Sequence, residues 1–143
     1  MKGTRSGHLL TDASQTRRWL ICESGDRWLT ATRRFITLLM PDDLAASIQR
    51  IAPEQLRSSL VRHQHATVLW EVTGVSILED MDFICKTTAE FPNVLQIAAT
   101  SGLDDQTVAM LSEIGVTISI ERPEQLPSLA KLMQAHVRRE SVV

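Results

Sequence analysis

A short apolar run at residues 66–72, with the sequence ATVLWEV, constrains the fold of this chain more than any other stretch. Glu71 is its one charged residue, a polar segment precedes the run, and Gly74 follows it. Such a run is typical of a strand that is buried on both faces, as strands are in a parallel sheet. Because ligands collect at the carboxyl ends of the central strands of an open α/β sheet, Glu71 is a candidate site residue.

Five strand-like segments alternate with helix-like ones along the chain. Apolar runs of strand length lie at residues 19–22, 66–72 and 94–99, whereas residues 44–51 and 116–121 are half polar and suit the edges of a sheet. Alternation with short connections predicts a parallel sheet covered by helices on both faces, and strand polarity predicts the strand order 2-1-3-4-5. The predicted fold class is therefore α/β, a flavodoxin-like three-layer sandwich with one five-stranded parallel sheet.

Side-chain burial can also be predicted from the patterns. The helix expected over residues 76–90 has one apolar face, made of Ile77, Met81, Ile84, Cys85 and Ala89. Strict alternation in the last strand places Val116, Ile118 and Ile120 on one side of the sheet. The three tryptophans, Trp19, Trp28 and Trp70, are expected in the core or at its edge. Cys22 and Cys85 both lie in apolar patterns, which favours buried free thiols in a reducing cytoplasm over a disulfide.

Composition limits the classes of partner. The chain has 143 residues, of which 43% are hydrophobic and 22% are charged, with a net charge of -2. That charge balance predicts no nucleic-acid partner and no anionic membrane surface, and no apolar run approaches the ~20 residues of a membrane helix. Residues 1–16 are polar and aperiodic, which predicts a mobile tail without the apolar core of a signal peptide. Residues 17–143 are then expected to form one domain.

Familiar cofactor and metal motifs do not occur. The sequence contains no G-x-x-x-x-G-K, G-x-G-x-x-G, C-x-x-C or H-E-x-x-H pattern. His63 and His65 could place two imidazoles on one side of an extended segment, but no third ligand accompanies them. We therefore predict no metal site, no bound cofactor and no catalytic residue.

One group of polar residues is expected to converge. Glu23 and Ser24 follow the first predicted strand, Glu71 ends the third, and Arg122 follows the fifth. Because the carboxyl ends of parallel strands share one edge of the sheet, these residues should lie near one another. They could form a regulatory or catalytic pocket, or an ion pair that only holds the strand ends together.

With these residues in place, the chain resembles the receiver (CheY-like) domain of bacterial response regulators over residues 17–139. Receivers have paired acids after the first strand, a phospho-accepting Asp at the end of the third, a hydroxyl at the end of the fourth and a Lys after the fifth. The corresponding positions here are Glu23 and Ser24, Glu71, Ala98 (with Thr100 and Ser101 just beyond) and Arg122. The resemblance thus implies a degenerate phospho-acceptor pocket.

Departures from the receiver pattern imply a pseudo-receiver. Glu71 is one methylene longer than Asp, Ser24 lacks a carboxylate, and Arg122 prefers a planar two-pronged partner, so that a Glu71–Arg122 pair is expected. The predicted function is a stand-alone, non-enzymatic signalling module that binds a protein partner of unknown identity. One alternative is an unconventional phospho-acceptor in a two-component phosphorelay. Another is a small flavodoxin-like cofactor-binding protein or enzyme.

Self-association is a further expectation. Receivers commonly use the face made by the last two helices and the fifth strand. Here that face combines a polar edge strand with Glu113, Lys131 and Arg138. A weak homodimer with two-fold symmetry through this face is therefore predicted.

Overall fold

The computed structural model of the chain describes residues 18–37 and 47–129. Its strands are β1 (Trp19–Cys22), β2 (Ile48–Arg50), β3 (Thr67–Glu71), β4 (Leu95–Ala99) and β5 (Ile118–Ile120). The described helices are α1 (Arg27–Thr37), α2 (Pro53–Arg62), α3 (Ile77–Glu90) and α4 (Asp105–Glu113). A short 3-10 turn (Pro123–Gln125) leads into helical residues 126–129.

All five strands pair in parallel, in the order β2-β1-β3-β4-β5. This confirms the predicted strand order and the flavodoxin-like, CheY-like fold class. The central strands β1 and β4 are buried along their whole length, and β3 is buried up to Glu71. The edge strands β2 and β5 have three residues each and are partly exposed, as their polar sequences predict.

Two apolar clusters cover the sheet. On one side, the α1 face, α1 and residues 126–129 pack over Trp19, Ile21, Leu69 and Ile97. On the other side, the α3 face, helices α2, α3 and α4 pack over alternate strand residues, among them Leu20, Val68, Trp70 and Ala98. This alternation is what a strand buried on both faces requires. All three tryptophans are buried, as predicted.

Helix α3 is rotated relative to the prediction. Its buried residues are Asp80, Ile84 and Thr87, whereas Cys85 and Ala89 are exposed. The prediction of a buried free thiol is therefore confirmed for Cys22 and wrong for Cys85. Hydrogen bonds explain the rotation. Asp80 accepts a bond from Ser76, and Thr88, next to the buried Thr87, bonds Gln96 and the carbonyl oxygen of Ile114.

Val116 also departs from the predicted pattern. It packs in the α3-face cluster, whereas Ile120 belongs to the α1-face cluster and Ile118 packs against it. The reason is that β5 begins only at Ile118, so the alternation of a strand does not extend back to Val116.

A chain of buried and half-buried polar side chains links the elements of the α3 face. Trp70 Nε1 donates to Gln96 Oε1 at 2.9 Å, and Gln96 Nε2 donates to Thr88 Oγ1 at 2.8 Å. Thr88 in turn bonds the carbonyl oxygens of Ile84 and Ile114. Gly115 makes room for this junction, because its φ is +126° and a Cβ atom there would overlap the Thr88 side chain.

Several predictions fall on residues that the structure does not describe. They are the tail at residues 1–16, residues 44–46 of the predicted edge strand, and the last helix beyond residue 129. None of the helices within residues 18–37 and 47–129 has the length and apolarity that a membrane span requires.

Candidate functional site

The carboxyl edge of the sheet brings the predicted site residues to one side of the molecule. Cys22 at the end of β1 pairs with Trp70, and Glu71 at the end of β3 pairs with Ala99 at the end of β4. Ala99 pairs in turn with Ile120 at the end of β5. The strand ends therefore share one edge, as the sequence predicts, and the chemistry depends on what each side chain does there.

Glu23 caps helix α1. Its Oε1 accepts the backbone N–H of Trp28 at 2.9 Å, and its Oε2 accepts the N–H of Leu29 at 2.7 Å. These N–H groups lie in the first helical turn, where no carbonyl of the helix can reach them, and a carboxylate there also meets the positive end of the helix dipole. Both oxygens of Glu23 thus have a structural role, while neighbouring Ser24 is exposed.

Glu71 has a second carboxylate as a neighbour. It is half-buried at the end of β3, and Asp80 on α3 retains only 8% of its exposure. Burial is the main cause that raises the pKa of Asp80, and the negative charges of Glu79 and Glu71 raise it further, against the hydrogen bond from Ser76. We term Glu71 and Asp80 the acid pair, because the charge of Glu71 is one of the causes that raise the pKa of Asp80.

The loop between β3 and α3 fixes Asp80 in place. Ser76 Oγ donates to Asp80 Oδ2 at 2.7 Å. Thr73 and Ser76 bond reciprocally, since the N–H of each is 3.1 Å from the side-chain oxygen of the other. Their two hydroxyl oxygens are also 3.0 Å apart. This loop is short and internally bonded, and it holds the side chain of Asp80 in place near the start of α3.

Cys22 lies beneath the acid pair. Its burial, together with the negative charges of Asp80 and Glu54, raises the pKa of the thiol far above its usual range. The thiol is therefore protonated at neutral pH, which makes it a small apolar core residue rather than a nucleophile.

Ala98 is placed differently from the expectation that it lines the pocket. It pairs with Trp70 and is fully buried in the α3-face cluster. The residue opposite Glu71 is Ala99, and Thr100 follows it. Thr100 is buried, and its hydroxyl lies 3.5 Å from the carbonyl oxygen of Ile120. A hydroxyl is thus present at this edge, two residues beyond the predicted position.

Arg122 does not pair with Glu71 in the described part of the chain, contrary to the expectation of an ion pair. It lies two residues beyond the end of β5, and its side chain is exposed. The side chain of Gln125 accepts the backbone N–H groups of Glu121 and Arg122, which ties this segment to the following 3-10 turn. The cation therefore points to solvent instead of closing the acid pair.

Metal ligands do not cluster here. Within residues 18–37 and 47–129, no three side chains of His, Cys, Asp or Glu are arranged to hold a metal ion. His63 and His65 precede β3 and so lie at the opposite, amino edge of the sheet.

Asp80 is the site residue that the sequence pattern did not predict. Its position four residues after Ser76, which allows a serine–carboxylate bond within the first turn, was the available signal.

Apolar surface borders the acid pair. Val75 in the β3–α3 loop is 99% exposed, and Leu78 in the first turn of α3 is 80% exposed. The two residues are three positions apart where the β3–α3 loop leads into the helix. The edge that carries Glu71 and Asp80 therefore also presents two large apolar side chains to solvent.

Comparison with known proteins supports the fold. No family model and no curated protein matches the sequence. Among solved structures, a CheY-like protein (tadZ) from Pseudomonas aeruginosa PAO1 is similar, with a TM-score of 0.64 and 14% sequence identity. The match covers 81% of this chain and 98% of the other. At this identity, the likeness establishes a shared CheY-like receiver fold.

Proposed function

We propose that this chain is a receiver-like signalling module without enzymatic activity, in which the standard phosphorylation of an aspartate has been lost. The observation that carries the proposal is the double hydrogen bond of Glu23 to the first turn of α1. In a working receiver, Mg²⁺ and a cation must surround the acceptor carboxylate in fixed geometry. Here the first acid caps a helix, the acceptor position holds Glu71, and the exposed cation Arg122 forms no ion pair with Glu71.

The acid pair also supports this reading. Asp80 reaches the edge from α3, but its nearest bonded partner is Ser76, and its burial favours the protonated form. A buried carboxyl whose pKa is raised is a poorer Mg²⁺ ligand than an exposed one, because the ion binds charged oxygens in near-octahedral positions. We infer that the carboxyl edge of the sheet, with Glu71 and Asp80, contributes its shape and charge to a contact with a partner protein.

Phosphorylation is the direct test. The purified protein is incubated with acetyl phosphate and Mg²⁺, and its intact mass is measured beside Glu71→Asp and Glu71→Gln variants. We expect no phosphoryl adduct on any of the three, because restoring the shorter acid leaves Glu23 bound to the first turn of α1. A phosphoryl group mapped to Glu71 in the unmodified chain would refute the proposal.

One observation favours a second function, an unconventional phospho-acceptor in a phosphorelay. Glu71 at the end of β3 and Asp80 near the start of α3 are two neighbouring carboxylates, and Mg²⁺ is commonly bound through one or two carboxylates together with phosphate oxygens. Titration with Mg²⁺ while indole fluorescence is monitored distinguishes the two functions. Sub-millimolar binding that disappears in Asp80→Asn supports the phospho-acceptor, whereas the absence of binding in both proteins supports the module without phosphorylation.

A further inference from the structure

Charge is divided laterally across this sheet. The strand order places β1 and β2 on one side of the central strand β3, and β4 and β5 on the other. The described residues before position 63 include seven arginines and three acids. Residues 63–129 include ten acids, one lysine and one arginine. The small net charge of the whole chain therefore conceals one basic and one acidic half.

Four exposed arginines on α1 and β2 form what we term the basic edge. They are Arg27, Arg33, Arg34 and Arg50. Each side chain is held by a contact that leaves its charge unpaired. Arg33 donates to the Ile48 carbonyl and Arg50 to the Gly25 carbonyl. The guanidinium carbons of Arg27 and Arg34 lie 5.6 Å and 5.5 Å from the ring centroids of Trp28 and Phe35.

No carboxylate within residues 18–37 and 47–129 forms an ion pair with any arginine of the basic edge. Elsewhere in the described residues, Arg57 holds Glu90 through both of its oxygens and Lys86 holds Asp82. The basic edge is thus a row of positioned cations that lack an anionic partner within the described molecule.

The opposite side of the sheet carries the complementary charge. Four exposed carboxylates at the start of α4, at its end and directly after β5 form what we term the acidic edge, namely Asp104, Asp105, Glu113 and Glu121. Arg122 is its one described cation. Met110, in the middle of α4, adds an apolar side chain that is partly exposed.

We propose that the basic edge of one copy docks on the acidic edge of the next, which gives a head-to-tail association. A second copy fits because the same chain supplies both charges, whereas a polyanion such as nucleic acid would be repelled by the acidic half. Two-fold pairing through α4 and β5 would instead bring the two acidic edges together. A heterologous contact of this kind extends into short open chains instead of closing as a dimer. This proposal stands apart from the question of phosphorylation.

Sedimentation velocity across a dilution series tests the association. The mean sedimentation coefficient should rise with concentration at about 0.01 M salt, where the Debye length is about 30 Å, and much less at about 0.15 M, where it is about 8 Å. Arg27→Glu/Arg34→Glu should weaken the association about tenfold or more, since like charges then face each other. Lys86→Glu, applied together with Arg62→Glu, changes the net charge equally outside both edges and should have little effect.

Mixing variants distinguishes a head-to-tail contact from other modes. Arg27→Glu/Arg34→Glu retains its acidic edge, and Glu113→Arg/Glu121→Arg retains its basic edge. Each variant alone should stay monomeric, whereas an equimolar mixture should associate again. Failure of the unmodified protein to associate at low salt would overturn the proposal. So would association that the edge variants leave unchanged, or that the control variant weakens equally.

Discussion

Two buried tryptophans on opposite faces of the sheet show two ways in which this fold accommodates polar atoms. Trp70, on the α3 face, donates its indole N–H to Gln96, which is bonded in turn to Thr88. Trp19, on the α1 face, is equally buried, but its indole N–H has no hydrogen-bond partner among the described residues. The buried hydroxyl of Thr32 on the same face also lacks one.

The two faces therefore differ in what positions their helices and strands: hydrogen bonds do so on the α3 face, and apolar packing does so on the α1 face. On the α3 face, each polar atom of the Trp70–Gln96–Thr88 chain fixes the position of the next, so that β3, β4, α3 and the α4–β5 turn are held in one arrangement. On the α1 face, shape and apolar burial hold the elements. A buried unpaired donor there lowers the free energy of unfolding by about 1–3 kcal/mol relative to a bonded one. Changing one polar group at a time on each face tests this contrast.

The largest effect is expected for Gly115→Ala. The new methyl group would overlap the Thr88 side chain, and the backbone would be strained at a φ of +126°. We expect the free energy of unfolding to fall by about 3 kcal/mol or more, as measured by urea denaturation. Gly74→Ala is the matched control, because a Cβ there meets nothing within 4 Å. Equal losses in the two variants would contradict the role given to Gly115.

Gln96→Leu should have the next largest effect. It preserves the approximate shape but leaves Trp70 Nε1 without its acceptor and Thr88 without one of its bonds. The expected loss is about 1–3 kcal/mol in the free energy of unfolding. Gln49→Leu on the exposed part of β2 is the control and should change stability by no more than about 0.5 kcal/mol. A neutral Gln96→Leu would mean that the polar chain contributes no net stability.

A matched pair of tryptophan substitutions compares the two faces directly. Trp70→Phe and Trp19→Phe remove the same ring area from equally buried sites. Trp70→Phe also leaves the Gln96 carbonyl oxygen unpaired, whereas Trp19→Phe removes a donor that had no partner. We therefore expect Trp70→Phe to be more destabilising by about 1–2 kcal/mol in urea denaturation. The reverse order would indicate that Trp19 has a partner that outweighs the Gln96 bond.

The smallest expected effect concerns Asp80, a buried polar group that is bonded yet able to ionise. Because burial raises the pKa of Asp80 in the folded protein, the folded protein binds the Asp80 proton more tightly than the unfolded chain does. The stability that Asp80 contributes is then fully present below the ordinary aspartate pKa of about 3.9 and is lost as pH rises through the higher folded value. Asp80→Asn should remove that dependence and stabilise the protein at neutral pH.

The measurement for Asp80→Asn is urea denaturation at several pH values. The difference in unfolding free energy between the variant and the unmodified protein should grow in favour of the variant as pH rises from about 3.9. A difference that does not vary with pH would show that Asp80 titrates alike in the folded and unfolded states.

Strand polarity was sufficient to predict the sheet. Residues 19–22, 66–72 and 94–99 are apolar enough to require burial on both faces, and the half-polar strands could only occupy edges. The carboxyl-edge position of Glu71 follows from that order alone. These predictions succeed because burial of a whole strand involves many side chains that all favour the same answer.

Side-chain partners within the site were harder to predict. Glu23 bonds helix positions five and six residues further on, which depends on how the chain turns after β1. Asp80 faces inward because Ser76 lies within reach, although an apolar count alone would place Cys85 there. Side-chain hydrogen bonds decide both placements, and such local competition is not visible in composition or spacing.

Both edge strands of the sheet are only three residues long, and Arg50 on β2 and Pro123 just beyond β5 limit their extension. An edge of this length offers few free backbone groups, and proline cannot donate one. The protein is therefore poorly suited to recruit a further strand, which is the step that seeds cross-β fibrils. Assemblies of this chain should accordingly redissolve when salt is added or the protein is diluted, and repeated concentration should leave no thioflavin-positive material behind.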